Sequence, residues 1–359
     1  KLIDKTRHRS FMPSFKRPGK ILMKLKIPSL ILAIVLLVPC FLAQSHVNFI
    51  YGTGSMANIS RVKRDTQLIE EKFETGNMLI LLVPKESTGK ERALCDALME
   101  IPHITNVVSY VTAVGGEIPP EFVPEQNVSQ FYSENHARII IYTDTKEEGE
   151  DAFNAVHDIS NTAATHYDNY YLTGQSAALY DMKNIITKDT GLINLIAIGG
   201  IFIVLLITFS SLVLPLILLF TIETAIWINL SIPYFTGNEL SYIGYLIIIT
   251  VQLGATVDYA ILFTNSYLGN RKKLNKKEAM STTIESNLAA VLTSGGILSS
   301  AGFVLALTSS NPIIADLGIL MGRGTLLSLM MVVCVLPALL ILFDKIIQKT
   351  SFKGRMLLK

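Results

Sequence analysis

Six stretches of this chain are apolar for longer than a soluble core helix requires: residues 27–45, 191–209, 212–232, 240–268, 288–307 and 317–343. About 20 apolar residues suffice to cross the hydrocarbon of a bilayer, so each stretch reads as a membrane helix. Between the first and second stretch the pattern changes. Residues 77–83 (NMLILLV) form a short apolar run of the kind that makes a buried strand. Residues 91–101 place Leu94, Leu98 and Ile101 on one helical face. A strand at 104–111, a loop marked by Gly115, Gly116, Pro119, Pro120 and Pro124, a strand at 137–143, a helix at 147–165 and a strand at 170–173 follow. The order β-α-β, loop, β-α-β is that of a ferredoxin-like split layer. The expected fold is therefore an α-helical polytopic membrane domain of six transmembrane helices with an inserted α+β ferredoxin-like domain outside the membrane. The expected boundaries are a basic segment at 1–26, a first transmembrane helix at 27–46, the α+β domain at 47–186, a five-helix membrane domain at 187–343 and a basic tail at 344–359.

Composition supports the membrane reading: half of the 359 residues are hydrophobic, and the mean hydropathy is +0.43. The net charge is only +2, but the charges are segregated. Nineteen of the 31 Lys and Arg fall in 1–26, 269–278 and 344–359. Lys and Arg mark the cytoplasmic side of a membrane protein. Six spans put all three segments on that side, with both termini cytoplasmic and residues 47–186 outside. Residues 47–186 are acidic, with 20 Asp and Glu against 10 Lys and Arg. A basic start also suits nucleic acid, but an apolar span follows at once and makes it a membrane flank. A signal anchor explains the first span alone, but not the five that follow. The chain opens on Lys1, without Met, inside the basic segment. The expectation is the second half of a longer polypeptide.

Candidate chemistry centres on Asp258, the one carboxylate in its apolar stretch. A charged side chain at membrane depth costs roughly 2.5–3.5 kcal/mol on insertion scales, and such residues are functional by default. Gly254 lies one turn before Asp258 on the same helical face and admits a close neighbour there. Tyr259 adds a hydroxyl beside the acid. The competing reading is a polar residue that only joins two helices. In the fifth span, Gly295 and Gly296 pair with Ser299 and Ser300 as small-xxx-small packing positions. Thr293 and Ser294 are candidate relay neighbours of Asp258. Glu223 is the second acid within a span, with a proton path and a pairing or snorkelling role held equal. Arg323, in Gly322-Arg323-Gly324, is expected to anchor its helix or pair with Asp316, seven residues earlier. The three cysteines support no disulfide, and no His/Cys spacing suits a metal. There is no phosphate-cradling loop and no Ser-His-Asp pattern. These observations exclude an enzyme, leave no cofactor to expect, and make an ion gradient the available energy source.

One span, a large extracytoplasmic α/β domain and then five spans resemble one half of a resistance–nodulation–division (RND) transporter. The stretch 252–262 (QLGATVDYAIL), Gly322-Arg323-Gly324 and 335–338 (VLPA) resemble the MMPL branch of that superfamily. The resemblance implies the C-terminal half of a proton-driven exporter of lipids, hydrophobic peptides or drugs in a bacterial plasma membrane. Its 47–186 domain would be porter-like. Asp258 and Tyr259 match the proton-relay pair, whose counterpart lies in the other half. That half is expected in the same polypeptide, or as a second copy in a homodimer. Membrane lipids and hydrophobic cargo are the expected partners, with no nucleic acid. Two other readings use the same scaffold: a non-transporting lipid sensor or receptor, and a protein-secretion accessory subunit resembling the SecD/SecF branch.

Overall fold

The computed structural model describes residues 18–52, 65, 68, 72 and 76–350, and divides into two compact units, 50–191 and 1–49 with 192–359. The expectations for 1–17 and 351–359, most of the basic segment and the end of the tail, lie outside the described residues. The first helix, α1 (Pro18–Ser45), starts before the apolar stretch and carries Lys24 and Lys26 on its opening turns. Pro28 and Pro39 both lie within it.

The unit 50–191 is the expected ferredoxin-like layer. Its order is β1 (Asn77–Pro84), α2 (Thr88–Met99), β2 (Ile104–Val108), β3 (His136–Thr143), α3 (Glu150–His166) and β4 (Tyr171–Gly174). The sheet runs β2-β3-β1-β4 with every neighbour antiparallel. Period-two alternation sends Leu79, Leu81 and Val83 of β1, with Ile139 and Ile141 of β3, into one core. Leu94 and Leu98 of α2 and Val156, Ile159 and Ala163 of α3 complete it. Each fully buried aliphatic side chain contributes roughly 1.5–3 kcal/mol. Ser87 caps α2 by accepting from the Lys90 amide. Gly174 turns the chain out of β4 at φ +142°, where a Cβ would meet the Met78 carbonyl oxygen at 2.8 Å. Only glycine fits that turn.

From there α4 (Gln175–Phe209) runs unbroken for 35 residues. The sequence places the second span at 191–209. The helix begins sixteen residues earlier because no proline interrupts 175–190 and those polar residues are compatible with helix. α5 (Val213–Thr236) ends at Gly237 in the left-handed conformation, φ +69°. α6 (Tyr242–Arg271) follows, capped by Ser241. α7 (Lys276–Thr308) starts well before the apolar stretch at 288, because Asn275 caps it through the amides of Lys277 and Glu278. α8 (Pro312–Met330) passes through a π-helical turn, Met331–Val335, into α9 (Leu336–Leu342), with Pro337 in the first turn of α9. The wider turn accommodates a residue that has no amide to donate. α10 (Asp344–Thr350) closes the described chain.

Among the described residues, six helical segments are long and apolar enough to cross a membrane: α1, α4, α5, α6, α7 and the α8–α9 rod. α5 and α8–α9 are the most enclosed of them, whereas α4 exposes Leu195, Ile196, Ile203 and Ile207. α7 and α8 approach most tightly. A Cβ on Gly302 would meet the Gly322 nitrogen at 2.6 Å and the Gly318 oxygen at 2.8 Å. The Ser299 hydroxyl donates to the Gly322 carbonyl at 2.9 Å across the same crossing. The fold class is thus a six-helix polytopic membrane domain with an inserted α+β domain.

Candidate functional site

α6 carries two opposed faces. Gln252, Leu253, Thr256, Tyr259, Ala260 and Phe263 are buried, while Val251, Gly254, Asp258 and Leu262 are exposed. Gly254 and Asp258 share the open face, as their spacing requires. A Cβ on Gly254 would meet nothing within 4 Å. The Asp258 carboxylate has no hydrogen-bond or ion-pair partner among the described residues. The acid therefore points to a surface that the described residues do not cover. Tyr259 goes the other way, into the apolar core, because successive helical residues diverge by roughly 100°.

The other expected site residues are dispersed around this point. Glu223 on α5 is half-buried, and among the described residues it forms no hydrogen bond or ion pair. α5 and α6 pack against each other and share one connection. Counted from that connection at about 1.5 Å per residue, Glu223 and Asp258 sit about 20 and 24 Å along their helices. The two acids thus lie at similar depth. Thr293 and Ser294 are exposed on α7, and the Thr293 hydroxyl donates to the Ala289 carbonyl at 2.8 Å. Gly295 is buried and faces Leu329 of α8, whereas Gly296 faces open space.

A buried polar network fixes how α6 is turned. The Asn229 amide of α5 donates to the Gln252 side chain at 3.1 Å and to the Leu320 carbonyl at 2.9 Å. The Gln252 amide donates to the Gly324 carbonyl at 3.1 Å and to Ser328 at 3.4 Å. Arg323 donates through Nε to Asn229 Oδ1 at 2.7 Å and through its terminal nitrogen to the Asn229 carbonyl at 3.0 Å. Arg323 is thus committed to Asn229 of α5. The alternative of an Asp316 pair is corrected: Asp316 lies two turns away on Arg323's own helix, whereas Asn229 offers two acceptors in the bundle interior. Sequence reasoning missed this network. Its signal was present as Asn229 and Gln252, two amides inside apolar spans that need partners there.

The far end of α6 is pinned as well. Asp344 is buried and accepts from the Tyr267 hydroxyl at 2.8 Å, from Arg271 Nε at 3.1 Å and from the Gln348 amide at 3.1 Å. Polar bonds hold α6 at Gln252 and at its C-terminal end, and Asp258 lies between them without one among the described residues.

The α+β unit has its own buried cluster. Glu91 is 4% exposed, and its carboxylate accepts from the Tyr132 hydroxyl at 2.6 Å. Burial, then the Glu91 charge, pushes the Tyr132 phenol up. Burial pushes Tyr167 up to about 12 and the Cys95 thiol up to about 11. Among the described residues no group of three His, Cys, Asp or Glu is arranged to hold a metal.

Comparison with known proteins follows the same lines. Residues 52–355 match the profile of the MMPL family. ActII-3 of Streptomyces coelicolor is 27% identical over 183 residues, 47% of this chain and 24% of that protein. The apo-petrobactin exporter of Bacillus anthracis is 23% identical over 274 residues, 72% of this chain and 35% of that protein. The cryo-EM structure of the hedgehog release protein Disp from the water bear Hypsibius dujardini superposes with a TM-score of 0.62 at 13% identity. It covers 94% of this chain and 51% of the Disp chain, a likeness of fold. The chain spans about a quarter to a third of the curated relatives, and about half of Disp. With its profile match extending over most of its length, the chain belongs to the MMPL family.

Proposed function

We propose that this chain is the C-terminal half of a proton-driven RND exporter that moves lipids or other hydrophobic compounds, with Asp258 as the group that takes up and releases the proton. One observation carries the reading: a lone carboxylate, without a partner among the described residues, at the middle of a membrane-length helix in an MMPL chain. Neutralising such a group removes a membrane-depth charge that costs several kcal/mol, and so biases any movement of the face that carries it. One charge moving through 100 mV supplies about 2.3 kcal/mol. Family membership supports transport rather than an enzymatic role. The relationship to an apo-petrobactin exporter supports export as the direction, and cargo of hydrophobic or amphipathic character suits the membrane location.

The exposed face of Gly254 and Asp258 suits a covering partner. The preceding half of the same polypeptide, or a second copy, would bring its own helix onto it. In this reading Glu223, Thr293 and Ser294 line the surroundings of the proton path, Tyr259 backs it from the apolar core, and Gly254 and Gly296 receive the partner helix. The segregated lysines and arginines support a topology with both termini in the cytoplasm and residues 47–186 outside. The test is gradient-dependent accumulation of a lipophilic dye or labelled lipid in everted vesicles that contain the intact protein. Collapse of accumulation by a protonophore is the expected result. Accumulation that ignores the protonophore would overturn proton drive. Cargo binding without any accumulation would favour a sensor.

A further inference from the structure

The N-terminal end of α1 and the start of α7 bring together cations that are far apart in the sequence. α1 and α7 pack against each other. Lys26 lies near the N-terminal end of α1, and Lys276 and Lys277 open α7, so the packed pair of helices brings their charges within electrostatic range. The position of α1 is fixed independently, because the Ser29 hydroxyl donates to the Cys334 carbonyl at 2.9 Å. None of the three lysines has an ion pair among the described residues. Carboxylates elsewhere on α7 and α10 have partners of their own. Asp344 is committed to Tyr267, Arg271 and Gln348. Glu285 accepts from Ser281. Glu278, in the first turn of α7, forms no ion pair with them among the described residues. Like charges gathered in this way repel one another unless an anion sits among them.

The adjoining surface states what kind of anion fits. Ile21, Leu25, Ile27 and Ile31 of α1 are each about half exposed, at 58, 47, 59 and 57%. Ile27 and Ile31 continue from Lys26 along a helix long enough to cross a membrane, and Ile21 and Leu25 precede Lys26. An anionic head and aliphatic tails match this pairing of cations and apolar surface, and basic sites between transmembrane helices hold lipid headgroups in this way. We propose that Lys26, Lys276 and Lys277 form a binding site for the headgroup phosphate of an anionic phospholipid whose acyl chains lie along the exposed face of α1. The site is separate from Asp258 and does not depend on the transport reading.

Native mass spectrometry of the full chain tests it, with phosphatidylglycerol and phosphatidylcholine titrated in competition. The wild-type chain is expected to retain phosphatidylglycerol preferentially. Each lysine near the surface is worth about fivefold in affinity, so K26Q/K276Q/K277Q is expected to lose most of the preference. The charge-conserving K26R/K276R/K277R is expected to keep it, which separates loss of the site from misfolding. Excess inorganic phosphate is expected to leave bound lipid in place. Equal retention of the two lipids by wild type, an undiminished preference in the glutamine variant, or displacement of the lipid by free phosphate would overturn the proposal.

Discussion

Asp258 and Arg323 show how a membrane bundle treats charge in two ways. Arg323 is half-buried with its partners supplied: two bonds to Asn229, whose amide in turn satisfies Gln252 and Leu320. Asp258 is left without any among the described residues. The first arrangement contributes to folding, and the second is the one the proposed function assigns to proton exchange. Arg323→Ala should strand the Asn229 acceptors and lower stability by about 1–3 kcal/mol, read as a lower melting temperature in detergent. Unchanged melting would show that the network carries little of the fold. A different chemistry governs Cys95, whose thiol burial pushes up to about 11. The unfolded chain ionises first, near the ordinary value of 9.0. The contribution of this thiol is therefore complete below about pH 9 and is lost as pH rises toward 11. In a C40S/C334S background, maleimide should label Cys95 far more slowly at neutral pH than after denaturation. Rapid labelling of the native protein would contradict its burial.

At the scale of single elements, α6 is the frame of the site. Gln252 ties its middle to α5 and α8, and Tyr267 and Arg271 tie its end to α10. These bonds set the rotation that leaves Gly254 and Asp258 on the open side. Gly254→Leu should leave the melting temperature of this chain within about 0.5 kcal/mol equivalent, since a Cβ there meets nothing within 4 Å. The same change should block export by filling the surface a partner helix occupies. Normal export by this variant would mean that nothing docks there. Gly302→Val is the opposite case. Its side chain would collide with Gly318 and Gly322, and a loss of about 1–3 kcal/mol is expected. Retained stability would show that α7 and α8 can separate at no cost.

These elements also show what a sequence discloses. Asp258 was legible because a carboxylate in an apolar run has no other context. The antiparallel four-stranded layer was legible from its alternation and turn residues. The Asn229–Gln252–Arg323 network was not, because its members come from three helices and only their crossing brings them together. The tight glycine contact fell at Gly302, Gly318 and Gly322, rather than at Gly254 and Gly296, for the same reason. Spacing shows which small residues share a face, but not which face meets a neighbour. The early starts of α4 and α7 escaped hydropathy because a cap, or the absence of a breaker, extends a helix through polar residues.

The whole molecule combines a self-sufficient α+β layer with a bundle that has open surfaces. The α+β unit encloses its own core between one sheet face and two helices. The membrane unit buries α5 and the α8–α9 rod, yet leaves much of α1, α4 and the Asp258 face of α6 exposed. Lipid suits the aliphatic surfaces of α1 and α4. The acid on α6 calls instead for protein or water, since an exposed carboxylate against acyl chains is costly. This contrast supports the proposal that a partner helix covers the Asp258 face. The relatives, of which this chain spans a fraction, are consistent with it.

The central claim is that Asp258 couples proton movement to export. The most direct measurement compares wild type with Asp258→Asn in everted vesicles at matched protein levels, following gradient-dependent transport of a lipophilic dye or labelled lipid. Asn keeps the size of the side chain and removes its ability to exchange a proton. The account predicts that transport falls to background while insertion and melting temperature are unchanged. Equal transport by the two proteins would contradict it and leave Asp258 as a structural residue.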